Sequence, residues 1–225
     1  MGSASDSGPG AMSVRYGAVG AAVSALLLIG MAFVRLPAGL EYPGLPALTG
    51  SVLLSPGDSN AFLDGLRTLF ALDSLFLLGW ILAWIGLADL VGRRSDGVKA
   101  TVVLVLGLAG ALMDFGENGI ILGAMGNLAS GSAATGNWTI AWKAVQHRSY
   151  ALPFAGALSS SVLLWGLGLP GKVTAFAGSV LLIPAAAGLY IPALSLVSNL
   201  WFLVWFLCLA ILLWTRADGP AVRKG

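Results

Sequence analysis

Residues 69–91 read LFALDSLFLLGWILAWIGLADLV, with Asp73 and Asp89 as the only charged positions. A helix needs about 20 predominantly apolar residues to cross the hydrocarbon layer of a bilayer. In that layer only helices and closed barrels satisfy their own backbone. The stretch therefore reads as a membrane-crossing helix, Leu69–Val91, with an amphipathic lead-in from Ala61. Asp73 is a charge where none is expected.

Five further stretches have the same character: Tyr16–Val34, Ala100–Met125, Tyr150–Leu169 with a polar lead-in from Trp138, Val173–Tyr190 and Leu196–Thr215. Pro170-Gly171 predicts a tight turn between the fourth and fifth spans, and Pro184 and Pro192 predict a kink or an end in the fifth. The chain as a whole agrees. Of its 225 residues 57% are apolar and 10% charged, against about 45–50% and about 25% in soluble domains, and mean hydropathy is +0.88. The expected fold is all-α: a polytopic membrane helix bundle with six transmembrane helices and both termini cytoplasmic. Residues 1–14 are expected to form a disordered tail, 15–216 the six-helix domain and 217–225 a cytoplasmic tail.

Orientation follows the distribution of Lys and Arg. With both termini inside, the inner side holds Arg15, Arg93, Arg94, Lys99, Lys172, Arg216, Arg223 and Lys224, and the outer loops hold Arg35. Arg67, Lys143 and Arg148 fall at the outer ends of spans two and four. The outer loop 36–60 is rich in Pro and Gly, and 128–137 (LASGSAATGN) is small and uncharged.

Composition also excludes. A net charge of +2 without a basic run gives nucleic acid nothing to hold. The single Cys208 forbids an internal disulfide, and the single His147 forbids bis-His haem ligation. No phosphate-binding loop is present. No cofactor and no metal site is expected.

The ionisable residues inside the spans carry the functional signal, because each costs several kcal/mol unless paired or wetted. Span two brings Asp64, Arg67 and Asp73; span three brings Asp114, Glu117 and Asn118; span four brings Lys143, Gln146, His147 and Arg148. Counting 1.5 Å per residue puts all of them in the outer half. Asp114, Glu117 and Asn118, at i, i+3 and i+4, share one helix face, as do Thr139, Lys143 and His147. Asp73, Asp114, Glu117, Asn118, Lys143 and His147 are the candidate ligand-binding or proton-exchanging residues. Asp64, Arg67 and Arg148 are candidates for supporting ion pairs. A structural salt-bridge knot would use the same residues, and exposed outer-end charges would snorkel into the headgroups. Asp89 and Arg93 are spaced for an ordinary helix-end pair.

Other features read as packing. Gly107, Gly110, Gly116, Gly119, Gly123 and Gly126 give span three a small-residue stripe for close helix approach. Trp80 and Trp84, and Trp201 and Trp205, are expected to face lipid or a partner, with span six at the periphery.

The pattern Leu72-Asp73 with Phe76, then Asp114-x-x-Glu117-Asn118, then Thr139 and Lys143, resembles one in small bacterial multi-pass membrane proteins of no assigned activity. The resemblance covers spans two to four. It implies a bacterial cytoplasmic membrane and recurring use of these polar positions, and no activity. Three functions then compete: binding or transport of an ion or small molecule, an accessory subunit of a membrane complex, and an enzyme acting on a lipid-linked substrate at the outer leaflet. Expected partners are membrane lipids, with other membrane subunits or a second copy under the subunit reading.

Overall fold

The computed structural model describes residues 9–34, 56–95, 97–129, 136–188, 191 and 195–217, all helical or in short turns. The helices are α1 (Pro9–Ala32), α2 (Pro56–Gly92), α3 (Gly97–Ala129), α4 (Gly136–Leu164), α5 (Gly168–Ser179), α6 (Leu182–Ala187) and α7 (Ser195–Arg216). Among the described residues five stretches are long and apolar enough to cross a membrane: Ala11–Ala32, Asp64–Gly92, Gly97–Gly123, Gly168–Ala187 and Leu196–Arg216. The remaining expected span, Tyr150–Leu169, lies on α4 and is not among them. The helix stops at Leu164, so only about 22 Å of it follows Tyr150, short of the roughly 30 Å hydrocarbon layer.

Helices α1 to α5 pack antiparallel in chain order, and α7 returns to α1, which closes the ring. The α1–α2 seam depends on missing side chains. A Cβ on Gly17 would come within 2.6 Å of the Gly86 Cα, and one on Gly20 within 2.5 Å of the Gly79 carbonyl oxygen. Across the same seam the Ser24 hydroxyl donates to the Phe76 carbonyl (3.1 Å). The seam runs to the start of α1, where Ser13 donates to Asp89 (2.7 Å) and Val14 is fully buried. The helix thus begins at Pro9, with Ser13 and Val14 held in the bundle, where a disordered tail to residue 14 was expected. The Asp89–Arg93 pair forms as its spacing predicts, at 2.8 Å.

The expected turn at Pro170-Gly171 falls earlier, at 165–167, with Gly168 at φ +70°. Pro170 lies in the first turn of α5, where no backbone N–H is required. Gly171 lets that helix approach the Leu164 carbonyl. The Arg216 guanidinium donates to the Leu167 carbonyl and ties the end of α7 to this turn. Pro184 interrupts the fifth span as expected. It offers no N–H to Val180, and the helix breaks at Val180 and Leu181.

The largest correction concerns the tryptophans. Trp80, Trp84, Trp201 and Trp205 are each at most 3% exposed and form the core rather than a lipid-facing surface. Phe76, Trp80, Phe202 and Phe206 make edge and tilted contacts at 5.3–5.9 Å. Phe154 meets Trp201 at 4.7 Å, and Trp201 stacks on Trp205 at 5.6 Å. Trp80 donates to the Gly107 carbonyl (3.0 Å) and Trp201 to the Ala177 carbonyl (2.8 Å). Helix α7 turns this aromatic face into the bundle, while Leu196, Leu200, Leu207, Ile211 and Trp214 on its other side stay exposed.

Candidate functional site

On α2, Leu66, Phe70, Asp73, Leu77, Trp80, Trp84, Leu87 and Val91 alternate steps of four and three. On α3, Val103, Gly107, Gly110, Asp114, Glu117 and Ile121 do the same. This spacing keeps one stripe turned to a neighbouring helix along the whole length. The acids stand on those two inward stripes, at positions whose neighbours in the series are buried and apolar or are close-approach glycines.

The antiparallel crossing brings the acids to one level. Asn118 donates its amide N–H to the Asp73 carboxylate, joining α3 to α2. Glu117 is 7% exposed, and the Ser149 hydroxyl donates to its Oε2 at 3.4 Å, joining α4. Asp114, partly buried on the same stripe of α3, is near enough to Asp73 and Glu117 for their like charges to repel its own. Three carboxyls, an amide and a hydroxyl from three helices thus form one polar cluster. One turn along α2, Phe76 begins the aromatic core, so the cluster is closed by apolar rings on that side. Pro153 lies one turn beyond Ser149 within α4 and has no N–H for the Ser149 carbonyl.

Of the expected residues, the structure brings together Asp73, Asp114, Glu117 and Asn118. Lys143 and His147 lie on α4 with side chains outside the described residues. Asp64 and Arg67 pair with each other at 2.9 Å, both side chains 71% exposed, so they form a surface pair apart from the cluster. Arg148 is exposed and makes no ion pair among the described residues. Ser149 is the member that sequence reasoning left out of the site, and nothing in its spacing marks it. Among the described residues no three His, Cys, Asp or Glu side chains are grouped to hold a metal ion.

No family model, no curated protein and no solved structure matches this chain.

Proposed function

We propose that this chain is a multi-pass membrane protein that binds a small cation, or exchanges protons, at the cluster of Asp73, Asp114, Glu117 and Asn118. The observation that carries the reading is the Asp73–Asn118 contact between α2 and α3, level with two further carboxyls on the inward stripe of α3. Carboxylates gathered in a low-dielectric interior must be neutralised by protons, by a cation or by a basic side chain. The first two give a site that responds to ion or proton concentration. Asn118 orients Asp73, and Ser149 orients Glu117. Lys143 and His147 are the proposed switchable counter-charges from α4.

Because α4 is short of apolar length after Tyr150, its polar turn before that residue must enter the membrane if α4 spans. This completes six crossings and keeps the cluster within the bilayer. The Lys and Arg distribution supports cytoplasmic termini and a cluster in the outer half, and the resemblance of spans two to four supports a bacterial cytoplasmic membrane.

The test is flux in proteoliposomes, read with radiolabelled sodium and with a trapped pH dye. Protein-dependent flux of either kind that is lost in Glu117→Gln is the expected result. Flux unchanged by that substitution would sink the reading.

A further inference from the structure

We infer that the hydrogen bond between Tyr150 of α4 and Asn199 of α7 is a latch over the carboxyl cluster, and that its opening lets water and a cation in to Glu117. The inference rests on the ion-site reading and adds the route by which the site is reached. The two helices are joined by side chains alone: among the described residues their backbones come no closer than 8 Å, Cα to Cα. The Tyr150 hydroxyl donates to Asn199 Oδ1 at 3.0 Å, in an exposed position. Deeper in the bundle rings fill the gap, with Tyr150 against Phe202 at 5.4 Å and Phe154 against Trp201 at 4.7 Å. An exposed hydrogen bond competes with water, so it opens more readily than the buried Trp80 and Trp201 bonds of the core.

Helix α4 is built to bend beside the latch. Pro153 has no N–H for the Ser149 carbonyl, so the helix ladder is interrupted next to Tyr150. Helices bend at such points. The seam with α3 is tight at the proline and looser toward the latch end. A Cβ on Gly110 would lie 2.8 Å from Pro153 Cδ, whereas one on Gly116 would lie 3.7 Å from Val145, an ordinary contact. Pro153 seated on Gly110 is the pivot.

Position couples the latch to the site. Ser149 immediately precedes Tyr150, is 2% exposed and donates to Glu117. One turn of α4 thus holds α7 through Tyr150 and Glu117 through Ser149. A swing of that turn away from α7 opens a path to the cluster and shifts the hydroxyl that orients Glu117.

The test is the rate at which a water-soluble maleimide labels Ser149→Cys in the full chain, in mild detergent, with Cys208→Ser as background. A buried thiol reacts through the open state, so its rate follows the open population. A hydrogen bond of ordinary net strength favours closure by about two- to tenfold. Tyr150→Phe and Asn199→Ala should each speed labelling by that factor, and the two together no further, because they remove the same bond. Ser160→Cys, buried on the other side of Pro153, should stay slow in all of them. Circular dichroism shows whether the Ser149→Cys reporter keeps its helices; if it does not, Ile121→Cys, buried one turn beyond Glu117 on α3, takes its place. Labelling unchanged by either latch variant, or a Ser160→Cys rate that rises in step, would overturn the inference. The labelling does not depend on an ion, so the two readings fail separately. Faster labelling beside flux that is indifferent to Glu117→Gln would keep the latch and remove the ion site. Unchanged labelling beside flux that is lost in Glu117→Gln would do the reverse.

Discussion

Replacing Gly107 by alanine should damage the bundle far more than one methyl group suggests. A Cβ at Gly107 would overlap Cδ2 and Cγ of Trp84 and lie 2.7 Å from its Cε3, where carbon atoms prefer about 3.5–4.0 Å. The indole cannot retreat. On its far edge a Cβ at Gly156 would already lie 2.8 Å from Trp84 Cη2, and the Trp205 ring stands 6.3 Å away, centre to centre. Overpacking a core costs about 1–3 kcal/mol, and a ring held from several sides puts this site near the top of that range. For a chain of this size 1 kcal/mol is about 2–4 °C of melting temperature, so Gly107→Ala should lower the midpoint by about 6–12 °C. A methyl group added at Gly119, on the same helix, would meet nothing within 4 Å. The Gly119→Ala protein should be at least as stable as the native one, by up to about 4 °C, because alanine favours the helix over glycine by about 0.5–1 kcal/mol. Thermal unfolding in detergent, followed by helical circular dichroism, reads both. Trp84→Phe combined with Gly107→Ala should recover part of the loss, because the smaller ring vacates the overlap. A Gly107→Ala protein as stable as the native one would refute this packing of α2 on α3.

Asn118→Leu removes the donor to Asp73 and leaves a partly buried carboxylate short of a partner, which costs about 1–3 kcal/mol; the same melting assay should show it. Arg67→Gln should leave the midpoint unchanged, because its pair with Asp64 is exposed on both sides. Pro184→Ala restores an N–H facing Val180, so α5 and α6 should join, with slower hydrogen exchange at Leu181–Ile183 than in the native chain.

Hydropathy made the helices legible, because long apolar runs have few readings. The level of the acids was legible too: Asp114, Glu117 and Asn118 share a face by spacing alone, and counting along α2 and α3 brings Asp73 to meet them. The environment of α7 was not legible. Lipid and a protein core are equally apolar, so hydropathy cannot tell a tryptophan that faces one from a tryptophan that faces the other. The same blindness applies to glycine. The stripe on α3 announces close approach, yet Gly107 and Gly110 receive Trp84, Trp80 and Pro153, while Gly119 faces open space. The backbone approach of Gly17 on Gly86 and of Gly20 on Gly79 joins two helices that the glycine reading did not single out. Ser149 was left out of the site because a lone serine in a span carries no signal until the opposite helix shows a carboxylate beside it.

The central claim is that the carboxyl cluster is a binding site. Native mass spectrometry of the protein, extracted gently from its own membrane, tests it most directly. The predicted result is a small bound species on the native chain that is lost in Asp114→Asn and in Glu117→Gln. A native chain that carries nothing of the kind, and instead holds protein subunits retained equally by both variants, would contradict it and leave the cluster as an internal brace.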